Sequence, residues 1–203
     1  MTLTEKSVNK EYRGFSSPNR TTKKILIFGD SGVGKTSLAE RFAYSKSTSN
    51  YPMTIGVNFM TKRIPIPLDD TQLLLIIDVA GLPKFERIRE SFYFGVELFV
   101  GVCDLTRKKS LENLEKIWIP EIFRVNMLHN GFKPIIQIVG NKSDLHGLTV
   151  ITSSDLEAMA YKIGKNYPEI TILHPSLIIS VNDDHFFNEV FGLKALASSK
   201  SCI

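Results

Sequence analysis

Residues 29–36 read Gly-Asp-Ser-Gly-Val-Gly-Lys-Thr. Glycines at this spacing let successive backbone N–H groups turn toward one point, where an anion can sit. A helix starting at Lys35 would add the partial positive charge of its N-terminus. Lys35 supplies a cation able to reach the outer phosphates of a nucleoside polyphosphate, and the Thr36 hydroxyl is a hard oxygen ligand for Mg2+. Asp30, Ser31, Gly32, Val33, Gly34, Lys35, Thr36 and Ser37 are therefore the candidate phosphate-contacting residues. The string has force only in context, after a buried strand and at the start of a helix. Ile25–Phe28 and Lys35–Tyr44 have those patterns.

Two further stretches carry compatible chemistry. Ile138-Val139-Gly140 runs into Asn141-Lys142-Ser143-Asp144, at the carboxyl end of a strand where open α/β sheets bind ligands. A carboxylate accepts two hydrogen bonds, from the ring N1–H and exocyclic amine of guanine. Adenine has no such donor pair, so Asp144 would select guanine. Asn141 can brace the loop, and the alkyl stem of Lys142 can cover a base face. The other stretch is Ile77-Asp78-Val79-Ala80-Gly81-Leu82-Pro83. Here an acidic residue and a small turn lead to a leucine with no donor or acceptor, followed by a proline with no backbone N–H.

The elements that position these groups follow from periodicity. Apolar runs at Ile25–Phe28, Leu98–Cys103, Ile135–Val139 and Ile170–Leu173 read as buried strands. Asn58–Leu68 and Gln72–Asp78 read as an antiparallel hairpin through Asp69-Asp70. Helical spacing occurs over Lys35–Tyr44, Ser110–Met127 and Ser153–Ile163, and in a last helix with Phe186, Val190, Leu193 and Ala197 on its apolar face. Strands of continuous apolar character alternating with helices imply a mostly parallel sheet covered on both faces.

The chain has 203 residues, 43% of them hydrophobic and 23% charged, the balance of one globular domain. No run approaches the roughly 20 apolar residues of a membrane-spanning helix, and two distant cysteines, Cys103 and Cys202, imply no disulfide framework. The net charge of +4 is carried by residues 1–24, and the remainder balances. It therefore argues for a solvated tail, with weak contact to anionic lipid as the alternative, and not for nucleic acid.

The phosphate loop, Thr54-Ile55-Gly56-Val57-Asn58-Phe59, Asp78-Val79-Ala80-Gly81 and Asn141-Lys142-Ser143-Asp144 resemble, in order and spacing, the motifs of Ras-superfamily small GTPases, most of all the Rab branch. The resemblance implies a P-loop NTPase-type α/β fold: a six-stranded, mostly parallel sheet with one antiparallel strand and helices on both faces. The G domain would span 23–197, with a disordered basic extension at 1–22 and a flexible tail at 198–203. It also implies GTP/GDP and Mg2+ as ligands, a monomeric molecular switch, and effector, exchange-factor and GTPase-activating partners acting through Thr54–Phe59 and Gly81–Phe94. The expected setting is the cytoplasm, with membrane contact at most peripheral, because the end Ser201-Cys202-Ile203 fits no lipidation pattern.

Carried over by residue, Thr54 would bind Mg2+ and the γ-phosphate, and Asp78 would hold Mg2+ through water. The Gly81 N–H would meet the γ-phosphate, and Tyr51 would close over the phosphates. Ser176, with Leu177 and Ile178, stands where the family has Ser-Ala-Lys beside the base. The sequence departs from the family at Ser47, where an aromatic residue stacks on the base and for which Tyr44 is the nearest substitute. Ile77 replaces a tryptophan in a surface triad that keeps Phe59 and Phe92. At Leu82 the family has the glutamine that orients the attacking water. The expectation is a site that holds GTP and cleaves it slowly or only with a partner's help; the alternative is a non-enzymatic, GTP-bound scaffold.

Overall fold

Alternate side chains of the first strand, β1 (Lys23–Phe28), point into two separate cores. The computed structural model describes residues 22–44, 54–66, 70–128 and 133–182. Leu26 and Phe28 face one side with Trp118, Ile122, Leu156 and Ile163, whereas Ile25 and Ile27 face the other with Leu38, Ala39 and Phe42. A strand buried on both faces has no polar side to show, which is why its sequence is continuously apolar. Phe28 and Phe99 meet edge to face at 6.4 Å in the first core, and each fully buried side chain of this size contributes about 1.5–3 kcal/mol.

The remaining elements are α1 (Lys35–Tyr44), β2 (Val57–Ile66), β3 (Asp70–Val79), a 3-10 turn at Pro83–Phe85, α2 (Glu86–Glu90) and β4 (Leu98–Asp104). They continue through α3 (Lys108–Asn113), a π-helical turn (Leu114–Trp118), α4 (Ile119–Leu128), β5 (Ile135–Asn141), α5 (Ser153–Asn166) and β6 (Thr171–Ile178). The six-stranded sheet has the order β2-β3-β1-β4-β5-β6. Among the described strands only β2 and β3 pair antiparallel, as the hairpin reading anticipates. The order turns back at β1, so the carboxyl ends of β1, β4 and β5 open onto the crevice where such sheets bind ligands.

Two elements differ from the sequence expectation. The helix expected over Ser110–Met127 is interrupted: the Ile119 N–H donates to Leu114 O, five residues back. Pro120, which has no N–H to give, follows directly. The extra residue in this turn lets Trp118, Ile119, Glu121 and Ile122 all face inward. The last strand is longer than expected. β5 pairs Gln137 with Leu173 but Val139 with Leu177, so β6 holds extra residues at a bulge. Gln137 Nε2 donates to Pro175 O there (3.0 Å), at the point where a proline cannot give its own N–H to the ladder.

Tails 1–21 and 183–203, the expected last helix, Ser47 and Tyr51 lie outside the described residues. Among the described residues no helix is long and apolar enough to cross a membrane. Cys103 is buried in β4 with its thiol pushed up to about 12 by burial, in keeping with a small hydrophobe.

Candidate nucleotide and metal site

The loop between β1 and α1 is shaped by glycine where a side chain could not fit. Gly34 has φ +98°, and a Cβ there would lie 2.2 Å from the Asn141 Nδ2. That amide instead donates to Val33 O at 2.9 Å, so Asn141 braces the phosphate loop from the end of β5. Its Oδ1 is buried without a partner. Gly81 closes the other side, since a Cβ there would stand 2.4 Å from the Ser31 amide nitrogen. The two loops approach at backbone distance because Gly81 carries no side chain at the crossing.

Lys35 is buried at the start of α1 and donates to Asp30 O (2.8 Å). Burial lowers its pKa to about 8, with Asp78 and Asp30 opposing the shift. Thr36, Thr54 and Asp78 converge beside it. The Thr36 hydroxyl donates to Asp78 Oδ2 (2.5 Å) and lies 2.7 Å from the Thr54 hydroxyl. Each hydroxyl has one proton, so Thr54 gives its own to Thr36, and its 3.4 Å approach to Asp78 is the weaker contact. Asp78 Oδ1 is buried with no hydrogen-bond partner, and burial raises the carboxyl's pKa despite the Thr36 hydrogen bond and Lys35.

One orphaned carboxylate oxygen and two hydroxyls form a hard-oxygen set that suits Mg2+. Among the described residues no three acidic, histidine or cysteine side chains gather as a metal cage. Mg2+ does not require one, because it usually takes one or two carboxylates and completes its shell with phosphates and water. The residues present therefore fit that ion.

The side chain of Asp30 takes no part at the phosphate point. Both its carboxylate oxygens are taken from behind the loop, by Trp118 Nε1 (2.9 Å) and Asn113 Nδ2 (2.8 Å). The anion is turned away from the phosphate point and ties the loop to the α3–α4 rod. Arg107, which the sequence reading passed over, donates to Ser31 O (2.9 Å). In a trans peptide the carbonyl and the next N–H point in opposite directions, so this bond aims the Gly32 N–H inward. Helix-starting position and a run of three basic residues, Arg107 to Lys109, were the only sequence signal for it.

At the base end Lys142 holds φ +70°, rare for a residue with a Cβ. Its ammonium pairs with Asp104 Oδ2 at 2.6 Å. Asp144 is exposed and accepts a long hydrogen bond from Asn182 Nδ2 (3.4 Å) on one oxygen. Ser176 and Leu177 are not brought here. They sit inside β6, with Leu177 opposite Val139, and the Ser176 N–H donates to Glu157 (2.5 Å). The segment beside the Asn141–Asp144 turn is 179–182: Ser143 N–H donates to Ile179 O (3.0 Å), and Asn182 N–H to Ser180 Oγ (3.1 Å). The bulge in β6 carries the strand on to Ile178, so Ser180-Val181-Asn182, just beyond its end, stands beside the Asn141–Asp144 turn and is the better candidate for the base loop than Ser176-Leu177. The apolar run Leu177–Ile179, which had to lie in a strand, was the available signal.

Leu82 is half-buried and caps the 3-10 turn, its carbonyl accepting Phe85 N–H (3.1 Å) and Arg89 Nη1 (2.9 Å). Among the candidate triad, Phe59 is 49% exposed and packs on Phe92 at 5.3 Å, but Ile77 is only 2% exposed and belongs to the core. The two phenylalanines, with exposed Ile55, Ile88 and Phe94 in the same two segments, are the apolar residues these segments present. Tyr93 is fully buried.

The Ras family profile matches residues 24–184. The Ypt/Rab-type GTPase YPT7 of Saccharomyces cerevisiae is 34% identical over 86% of this chain and 82% of its own length. Ras-related protein Rab11B of Nicotiana tabacum is 32% identical over 82% and 72%, and Ras-related protein Rab7 of Pisum sativum is 35% identical over 73% and 71%. With a six-stranded sheet of one antiparallel and otherwise parallel pairs, a glycine loop backed by a buried lysine, and relatives of Rab type, this chain belongs to the Ras family of GTP-binding switch proteins, most similar to its Rab members.

Proposed function

We propose that this chain is a guanine-nucleotide switch that binds GTP with Mg2+ tightly and hydrolyses it slowly without a partner. The observation that carries this reading is the convergence of Thr36, Thr54 and Asp78 beside buried Lys35, with one Asp78 oxygen left unpaired. Bound at these oxygens, Mg2+ would offset negative charge on the β- and γ-phosphates. The chain's own groups do the rest. Backbone N–H groups of 32–36 and the Lys35 ammonium hold the phosphates, Asn141 fixes the loop, and Asp144 reads the guanine N1–H and amine.

Leu82 supports the slow step. In-line attack needs a water held against the γ-phosphorus, and a half-buried hydrocarbon excludes water without orienting it. The two arginines nearest the phosphate loop are both engaged, Arg107 on Ser31 O and Arg89 on Glu121 and Leu82 O. A cation for the transition state would therefore come from a GTPase-activating partner. Effectors and exchange factors would meet the segments 54–59 and 81–94.

A non-enzymatic scaffold is the second reading, favoured by Leu82 and Ser47. Nucleotide content of the purified protein, followed over time with and without Mg2+, separates the two. GTP that persists with Mg2+ and turns over on adding a cognate activator supports the switch, and GTP that never turns over supports the scaffold. Equal retention of ATP and GTP would remove Asp144 from its role.

A further inference from the structure

A buried cation lies directly behind the switch segment, and the mechanism above does not use it. Arg89, at the end of α2, is 2% exposed. Its Nε and Nη2 donate to the two oxygens of Glu121 on α4 at 2.7 and 2.5 Å, and its Nη1 donates to Leu82 O at 2.9 Å. The guanidinium stacks 4.4 Å from the centre of the Trp118 ring. Tyr93 Oη donates to the same Glu121 at 2.6 Å. Burial works against the cation, and Glu121 outweighs it, so Arg89 stays charged. At the surface Arg124 of α4 pairs with both Glu86 and Glu90 of α2. Trp118 in turn reaches Asp30 of the phosphate loop through its indole N–H.

None of these contacts involves a phosphate-facing atom of Lys35, Thr36, Thr54 or Gly81. A switch segment normally follows the nucleotide because the γ-phosphate is the main thing that orders it. Here the residue next to Gly81 is held by its carbonyl from the interior, and the helix after it is pinned by a bidentate ion pair. A ligand shifts a conformation only by its differential affinity for the two states. An interior clamp that favours one state reduces how far the γ-phosphate by itself can move the segment.

We propose that Arg89 is a positioning residue that clamps segment 82–93 onto α4 through Glu121, so that this segment keeps one arrangement with GDP or GTP bound. The proposal rests on the nucleotide-binding reading above. Trp118 is the single tryptophan of the chain and sits inside the clamp, so its fluorescence reports it directly.

The test compares wild type with the triple variant Arg89→Met, Tyr93→Phe, Glu121→Met, which leaves no buried charge or hydroxyl unpaired and should fold; thermal unfolding checks that it does. Each protein is loaded with GDP or a non-hydrolysable GTP analogue, and its nucleotide content is measured. In wild type, Trp118 emission and amide exchange over 82–93 should agree between the two states within about twofold. In the variant, the GDP state should exchange at least about tenfold faster than the GTP-analogue state. A wild type already showing the larger difference, or a variant as uniform as wild type, overturns the clamp. If neither protein holds guanine nucleotide, the functional reading fails on its own. The clamp is then judged on the nucleotide-free proteins: faster exchange in the variant upholds it and equal exchange overturns it.

Discussion

In the nucleotide-free chain the Lys35 ammonium is buried with one backbone oxygen, Asp30 O, in contact, and its pKa is lowered from 10.5 to about 8 by that burial. A phosphate oxygen in contact would add to the counter-charge of Asp78 and Asp30 and return the group to about its ordinary value. From pH about 8 to 10.5, binding then takes up close to one proton. GTP affinity should fall about tenfold per pH unit across that window, roughly 300-fold in all, or about 3 kcal/mol. The guanine ring loses its own N1 proton in alkali, so GMP, which lacks the β- and γ-phosphates, serves as the control. Displacement of a fluorescent nucleotide gives the affinities, and calorimetry in buffers of different ionisation enthalpy counts the protons. GTP and GMP weakening in parallel with no proton uptake would refute the reasoning. Lys35→Arg, charged throughout, should flatten the GTP curve. The lowered folded-state value also means that this group's contribution to the stability of the nucleotide-free chain is fully present above 10.5 and lost as pH falls through about 8.

Leu82→Gln should raise single-turnover GTP hydrolysis by about tenfold, which asks about 1.4 kcal/mol of the new amide; phosphate release from preloaded protein measures it, and nucleotide affinity should hardly change. Gly34→Ala should weaken GTP and GDP binding together by at least about tenfold, because its Cβ would strike the Asn141 amide at 2.2 Å in a left-handed backbone; direct titration checks it. Asp78→Asn should abolish the dependence of GTP retention on Mg2+, because it removes the buried carboxylate whose free oxygen would hold the ion; nucleotide release with and without a chelator checks it. Glu121→Ala should lower stability by about 3–5 kcal/mol, since it strands the Arg89 cation in the interior; a chemical denaturation midpoint reads the loss.

Local chemistry in this chain was legible without a fold. The phosphate loop with Thr36 and the Asn141–Asp144 turn were singled out from residue type and spacing, because each is a short segment whose conformation its own glycines and flanking apolar runs dictate; the role expected of Asp78 came only with the family resemblance. The doubly covered sheet and its one antiparallel hairpin followed likewise from strands with no polar face. What the tertiary structure alone decided involves residues far apart in the chain. Asp30 sits in the middle of the phosphate motif, yet Trp118 and Asn113 turn its carboxylate away. Arg107 meets Ser31 across 76 positions and Arg89 meets Glu121 across 32, and no local spacing encodes such pairs. Ser180, and not Ser176, lies beside the Asn141–Asp144 turn because a bulge in β6 changes how many residues fit before the strand ends, and bulges are set by the neighbouring strand. A motif states which groups are needed at a site. Which arginine becomes buried, and which oxygen is left without a partner, depends on how helices close over the sheet, since desolvation and distance are properties of the packed chain.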